Sequence, residues 1–215
     1  MPLTGTSAEC LATKNLMSDL LTVVDGLRLP ERTRELLRPG KIMEDERGQP
    51  HALPRFFFRI DSWDQAKKTK LTAHFTLAEL VSVDSHENRE LLETFPHYVP
   101  CAVAVLARYL EEFRTRVEAP VLVTVNGGYR SPAHKRSTHA SPHLWAAAVD
   151  IFRIGDTWMD SQKNVERFAR IAEGIGQEVF VKPYGPEPEG ADDHLHFDLG
   201  FLHVIPRGMS ESTPE

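Results

Sequence analysis

The sequence predicts an α+β domain in which flanking helices cover a mixed or antiparallel sheet. Two observations carry this prediction. Apolar residues repeat at alternating steps of four and three from Val99 to Val117, which is typical of a helix with one buried face. A β-branched run at 121–125 is typical of a buried strand, and 146–152 and 193–199 are predicted to form further strands.

Composition restricts the class of protein before any motif is considered. The chain has 215 residues, enough for one full domain with an appended segment, and its 41% hydrophobic and 26% charged residues are ordinary for a globular protein. The net charge of −6 argues against a nucleic-acid partner, which usually needs a basic face. No apolar run approaches the ~20 residues that span a bilayer, so we expect no membrane span.

Signals for location and redox state are sparse. Residues 1–21 lack the basic start, apolar core and small-residue cleavage site of a signal peptide, which predicts a cytoplasmic location for the sequence as given. Release by lysis and a non-standard export route are the alternatives. Cys10 and Cys101 lie far apart and outside any CxxC pattern, which favours two buried free thiols.

Three segments are predicted along the chain: an N-terminal extension, a main domain and a flexible tail (1–70, 71–205, 206–215). The extension shows no recognisable chemistry. Its expected elements are a helix, a second short helix after Pro30, an exposed connection and a strand (13–27, from 31, 39–54, Phe56–Ile60).

The main domain begins with clearer local signals. Thr76 and Glu79 form a capping box, which predicts a short helix directly after Thr76. Pro100 is expected to open the long helix, because proline suits a first helical turn. Another helix is expected over 161–173, and Gly174 suits its end.

Residues with chemical potential concentrate in three short segments. They are Gly128-Tyr129-Arg130-Ser131, Ser141-Pro142-His143 and Asp193-His194-Leu195-His196. A strand places residues i and i+2 on one face, so His194 and His196 can point into one cleft. Each segment alone is weak evidence for a site, and their combination is what matters.

Asp150 is the most informative single residue, because it lies in an apolar strand. A buried carboxylate is unfavourable unless it meets a cation or several hydrogen-bond donors. A salt bridge to Arg130 or Arg153 is one explanation. A metal ion is favoured, because histidines are supplied both before and after Asp150. Two imidazoles and one carboxylate, with no thiolate, suit a catalytic Zn²⁺ site that keeps one position open for water.

The three segments together resemble the signature of zinc D-Ala-D-Ala carboxypeptidases. The wider group includes VanX-like dipeptidases, phage L-alanyl-D-glutamate endopeptidases and the zinc domain of hedgehog proteins. The resemblance covers roughly 74–200 and implies a hedgehog/D-Ala-D-Ala peptidase-like fold. It implies zinc ligation by His143, Asp150 and His196.

The resemblance also implies roles for the remaining residues of the site. Asp193 matches the general base, and His194 matches the group that stabilises the tetrahedral intermediate. Arg130 matches the residue that anchors the substrate near its C-terminal carboxylate, and Ser131 and Ser141 are expected at the substrate. Asp192 is the alternative base, and Asp198 a candidate hydrogen-bond partner of a ligand.

One position departs from the family pattern. The family usually has glycine three residues after the first ligand, where this chain has Ala146. A methyl group is harmless there if the backbone φ is negative and unfavourable if φ is positive.

The resulting hypothesis is a zinc metallopeptidase acting on peptidoglycan stem peptides or other D-amino-acid peptides. Carboxypeptidase, dipeptidase and endopeptidase action are not distinguished by the sequence. The alternative is a zinc-containing binding module of the same fold without hydrolytic activity. Nucleophilic catalysis by serine or cysteine is disfavoured, since there is no GxSxG.

Overall fold

A computed structural model describes residues 21–93, 97–186 and 189–209 of the chain. Within these ranges the backbone forms strands and helices that alternate along the chain. The strands are β1 Thr22–Asp25, β2 Ile42–Glu44, β3 Pro50–Ala52, β4 Phe56–Ile60, β5 His97–Pro100, β6 Val121–Val123, β7 Ala148–Ile154, β8 Thr157–Trp158, β9 Phe180–Val181 and β10 Leu195–Asp198. The α-helices are α1 Glu31–Leu37, α2 Trp63–Lys68, α3 Leu77–Val81, α4 Arg89–Glu93, α5 Val103–Val117 and α6 Gln162–Glu173.

The main sheet has the order β6-β7-β10-β9, with β8 paired to β7, and all its pairings are antiparallel. Helix α6 contacts α5 and the strands β9 and β10, so the helices cover one side of this sheet. Their apolar residues share one buried core with those of β7 and β10. The predicted α+β class with an antiparallel sheet is thereby confirmed. The more specific hedgehog/D-Ala-D-Ala peptidase-like fold stays a prediction.

A second sheet, β1-β4-β5, is built largely from the N-terminal third. The strand expected at Phe56–Ile60 is present, and α1 follows Pro30 as expected. The helix expected over 13–27 is wrong where the chain is described, because residues 22–25 form a strand paired with β4. Thr22, Val23 and Val24 favour that pairing, since β-branched residues pack well on a sheet. Residues 13–20 of that expectation lie outside the described residues.

The segment 39–54 is not simply an exposed connection. It folds into the antiparallel hairpin β2-β3, in which Met43 lies opposite His51. Its turn is closed by Asp45, whose backbone N–H donates to the carbonyl of Gln49 at 2.9 Å. Gly48 lies in this turn, and its N–H donates to the carbonyl of Asp45 at 2.9 Å.

The long helix begins later than the sequence suggested. Pro100 ends strand β5, and Val99, expected on the apolar face of the helix, is fully buried in that strand. The backbone N–H of Cys101 donates to the carbonyl of Phe56 at 3.1 Å, which extends the pairing with β4 beyond Pro100. Helix α5 therefore starts at Val103. The capping box of Thr76 and Glu79 on α3 is confirmed.

The buried core runs across the predicted boundary near residue 70. Leu21, Ile60 and Ala66 belong to the same buried cluster as Phe75 and Val149. The boundary itself stays a prediction. Cys101 is a buried free thiol whose pKa burial raises to about 12, and Cys10 lies outside the described residues. None of the helices in the described ranges is long and apolar enough to cross a membrane.

Candidate metal centre

His143 is presented by a short 3-10 helix, Pro142–Trp145, that precedes β7. Its Nδ1–H donates to the carbonyl of Gly128 at 2.8 Å, and its side chain is 2% exposed. Because that hydrogen bond fixes the tautomer, Nε2 carries the free lone pair. This nitrogen lies 3.3 Å from Asp150 Oδ1.

Ala146 ends this 3-10 helix with φ of +53°. Its N–H donates to the carbonyl of His143 at 3.1 Å, so this left-handed residue closes the turn that carries the ligand. The position where the family usually has glycine is therefore one where glycine is favoured conformationally. The alanine is buried and strained in the backbone.

Asp150 lies in the middle of β7 and is the centre of the cluster. Its Oδ1 lies 3.3 Å from His143 Nε2, 3.3 Å from His194 Nε2 and 2.8 Å from His196 Nδ1. A salt bridge between Asp150 and Arg153 was one explanation for the buried carboxylate. The guanidinium of Arg153 instead packs over the ring of Trp158, 5.5 Å from its centroid.

His196 faces Asp150 because the two residues are directly paired across β10 and β7. Its other ring nitrogen, Nε2, lies 3.1 Å from Asp198 Oδ2, and Asp198 Oδ1 accepts the N–H of Gly200 at 2.7 Å. Asp198 thus fixes the orientation of the imidazole and leaves Nδ1 for the cluster.

These three side chains fit a zinc ion. One donor atom from each of His143, Asp150 and His196 lies within 4.8 Å of the others. Tetrahedral Zn²⁺ with bonds of about 2.0–2.1 Å places neighbouring ligand atoms roughly 3.3 Å apart, close to the separations seen here. Two nitrogens and one carboxylate oxygen match the ligands of catalytic rather than structural zinc.

The pKa values of the three side chains are shifted by burial and by their contacts with one another. Burial lowers the pKa of His143 to about 4, so its imidazole is neutral at pH 7. Burial opposes the charged form of His196 as well, but the hydrogen bonds that its imidazole donates to Asp150 and Asp198 outweigh burial and raise its pKa to about 9. The three imidazoles outweigh the burial of Asp150 and hold the pKa of its carboxyl well below the usual range. The carboxylate is therefore ionised and ready to ligate.

An open cleft of about 710 Å³ lies over the cluster. Its size is ordinary for a small-ligand site. Arg130 and Ser141 line this cleft, as do His194 and the three candidate ligands.

Ser131 and Asp193 are not among the described residues that line the cleft. Ser131 is fully buried, and its hydroxyl donates to Glu87 Oε1 at 2.6 Å. Asp193 is 82% exposed, and its Oδ1 lies 2.5 Å from His194 Nδ1. Asp192, the alternative acid, is also exposed.

Glu87 was not recognised in the sequence, yet it supports the segment that carries Arg130. It is 3% exposed and accepts both the hydroxyl and, at 3.1 Å, the backbone N–H of Ser131. Gly128 packs so closely that an added Cβ would lie 2.1 Å from the carbonyl oxygen of Leu80. No signal in the sequence distinguishes Glu87 from the exposed acids around it.

Further lining residues were missed because they lie far from the three segments. The hairpin β2-β3, the loop before His143 and strand β9 with its end all contribute. They add Asp45, Glu46, Arg47, Gln49, His51, Arg136, His139, Phe180 and Lys182.

A buried His, Asp, His set beneath an open cleft is the arrangement of protein ligands typical of catalytic zinc. The sequence model of the Peptidase M15 family matches residues 73–183, about half of the chain. The chain belongs to the Peptidase M15 family, the zinc metallopeptidases that include D-Ala-D-Ala carboxypeptidases and VanX-like enzymes. The resemblance seen in the sequence is thereby confirmed.

The family match includes Arg130, His143 and Asp150 and ends before Asp193. The third candidate ligand, His196, is placed by the antiparallel pairing of β10 with β7. Comparison with curated proteins and with solved structures finds no match.

Proposed function

We propose that the protein hydrolyses a peptide bond in peptidoglycan stem peptides, as a D-Ala-D-Ala carboxypeptidase or a related endopeptidase. The observation that carries the proposal is the coincidence, in one cleft, of the buried His143, Asp150 and His196 set with Arg130. The family supplies the reaction class, hydrolysis of a peptide bond with zinc.

The proposed zinc site uses His143 Nε2, an oxygen of Asp150 and His196 Nδ1. Zinc bound there supplies a water of lowered pKa and polarises the scissile carbonyl. The protein contributes rigid ligands, because Gly128 and Asp198 hold the outer nitrogens of the two imidazoles.

Asp193 and His194 are proposed to manage protons and charge. Asp193 accepts the proton of the attacking water and returns it to the leaving amine. Burial opposes the charged form of His194, but Asp150 and Asp193 outweigh it and raise the pKa of the imidazole. A protonated His194 donates a hydrogen bond to the oxyanion that develops on the carbonyl.

Arg130 is proposed to bind the C-terminal carboxylate of the substrate. A guanidinium pairs with a carboxylate through two parallel hydrogen bonds, which orients the scissile bond over the ligands. The backbone N–H of Arg130 donates to the carbonyl of His143 at 3.3 Å, so the anchor and the first ligand are coupled through the main chain.

One observation favours a second function, a zinc-containing binding module without hydrolysis. Asp193 is 82% exposed and bonded to His194 rather than lining the cleft. In this alternative, the acid only orients His194, and no group takes the proton of a bound water.

Digestion of purified muropeptides distinguishes the two functions. We expect the zinc-loaded protein to shorten stem peptides, with products identified by mass spectrometry. Loss of one terminal D-Ala indicates a carboxypeptidase, and cleavage within the peptide indicates an endopeptidase. Binding of intact muropeptides without any product would favour the binding module.

A further inference from the structure

The hairpin β2-β3 forms a wall of the cleft, although it lies outside the part of the chain that matches the family. The N–H of Ala140 donates to the carbonyl of Glu44 at 2.7 Å, which joins the hairpin to the loop before His143. On the other strand, the ring of His51 stacks on that of Phe201 with centroids 3.5 Å apart. The N-terminal third therefore takes part in building the substrate site.

The turn of the hairpin is held in one conformation and presents Arg47 at the cleft. Asp45 Oδ1 accepts the N–H of Arg47 at 2.9 Å and that of Gln49 at 2.8 Å. Gly48 has φ of +75°, which suits glycine and completes the turn. These hydrogen bonds fix the backbone of Arg47, so its side chain leaves the wall of the cleft at a defined position.

The acids that line the cleft are already paired. Asp45 Oδ2 lies 3.0 Å from His51 Nε2, and Glu46 Oε1 lies 2.9 Å from His139 Nε2. The two acids at the bottom of the cleft, Asp150 and Asp198, are hydrogen-bonded to the imidazoles of the metal centre. Each of these four acids therefore has an imidazole partner, and none of them is paired with Arg47 or Arg136.

Four cationic residues line the same cleft: Arg47, Arg130, Arg136 and Lys182. Arg47 and Arg136 are exposed, and neither guanidinium has an acidic partner among the described residues. A guanidinium without an acidic partner at a cleft can pair with an anionic group of a ligand that enters it.

We propose that Arg47 and Arg136 bind a second acidic group of the substrate, a carboxylate distinct from the C-terminal carboxylate assigned to Arg130. The substrate class is thereby narrowed to peptides with at least two free carboxylates. This inference rests on the proposed function, because it assigns specificity to the same cleft.

The effect of each arginine is expected to be modest. An exposed ion pair contributes ~0.2–1 kcal/mol and is weakened by salt, whereas a fully desolvated pair contributes more. Two such arginines correspond to a preference of roughly two- to thirtyfold for the doubly anionic peptide over its neutral analogue.

The test compares two stem peptides that share a free C-terminus and differ only in whether their side-chain carboxylates are free or amidated. The variant is Arg47→Ala/Arg136→Ala, measured with zinc bound. The matched control is Arg34→Ala/Arg108→Ala, which removes the same charge from two exposed helix positions outside the cleft. Zinc content and circular dichroism check that all three proteins are folded.

We expect kcat/KM of the wild type and the control to favour the free peptide, and the preference of the cleft variant to fall to near one. Increasing ionic strength should reduce the preference of the wild type. A wild type without preference, or a cleft variant that keeps it, overturns the proposal. Calorimetric binding of both peptides decides it independently of turnover. If the wild type cleaves neither peptide, the proposed hydrolysis fails, whereas equal affinity for the two peptides overturns the specificity assigned to the arginines.

Discussion

The floor of the cleft, formed by His143, Asp150, His196 and Asp198, differs from the hairpin wall β2-β3 in burial and in hydrogen bonding. On the floor, His143 is 2% and His196 12% exposed, and both ring nitrogens of each have a partner. On the wall, Arg47 is exposed and only its backbone is held. The side chains of the floor are therefore held in place and could hold a metal ion, while the wall offers charges that remain available for a ligand.

This difference sets the expected size of mutational effects. Removing one partner from a buried charged cluster leaves the others uncompensated and typically costs ~3–5 kcal/mol. Exposed charges typically contribute ~0.2–1 kcal/mol each. Substitutions in the floor should therefore abolish activity. Substitutions in the wall should change which peptide is preferred.

The largest effect on turnover is expected for Asp193→Asn, which tests whether the chemistry extends beyond the buried floor to an exposed acid. A general base typically contributes ~10²- to 10⁴-fold, so kcat should fall by that factor while zinc content stays unchanged. Asp192→Asn is the matched control and should keep most activity. Both variants cleaving muropeptides at the wild-type rate would remove either acid from the mechanism.

Arg130→Ala should lower kcat/KM by roughly ten- to a hundredfold, because a hydrogen-bonded contact to a charged group contributes ~1.5–3 kcal/mol. Zinc binding should be unaffected, which separates the anchor from the ligands. Amidating the C-terminus of the substrate should produce a similar loss in the wild type. If amidation had no effect, Arg130 would not bind a terminal carboxylate, and internal cleavage would be the better description.

Zinc uptake should release about one proton from the three ligands at pH 7. In the metal-free protein His196 has a pKa of about 9 and carries a proton at pH 7, whereas His143, with a pKa of about 4, does not. Since the metal must displace that proton, zinc affinity should rise ~tenfold per pH unit between pH 7 and 9. Calorimetry in buffers of different ionisation enthalpy measures the released proton. An affinity independent of pH over this interval would exclude a protonated His196.

The smallest effect is expected for Ala146→Gly, which tests strain under the first ligand. The left-handed conformation costs a non-glycine residue ~1–2 kcal/mol, so glycine should raise the free energy of unfolding by about 0.5–1 kcal/mol. Ala148→Gly is the control, because Ala148 is equally buried but lies in β7 with a regular strand backbone, and it should destabilise. Urea unfolding of both variants measures the difference. Equal destabilisation by the two substitutions would contradict strain at Ala146.

The sequence predicted the elements that carry periodic apolar patterns or local caps. Strand β4, helix α6 and the capping box on α3 were found close to their expected positions. Asp150 was recognisable because a carboxylate in an apolar strand is chemically unusual. Its three histidine neighbours lie in the two histidine-containing segments recognised in the sequence, and the resemblance to a known signature then implied their roles.

The errors arose where tertiary pairing overrides a local pattern. Residues 22–25 have apolar spacing compatible with a helix, but they pair with β4 as a strand. Glu87 and Arg47 were missed because their roles depend on residues more than forty positions away in the chain, Ser131 in one case and the metal centre in the other. A local sequence pattern contains no record of such distant contacts.

Metal analysis of the purified protein tests the central claim most directly, because variants in the floor should lose zinc and variants in the wall should keep it. The wild type and Arg47→Ala should carry about one zinc per chain, and His196→Ala should lose most of it. Circular dichroism of His196→Ala separates loss of the ligand from loss of the fold. A folded His196→Ala that retained full zinc, or a wild type that bound none after exposure to zinc, would contradict the account.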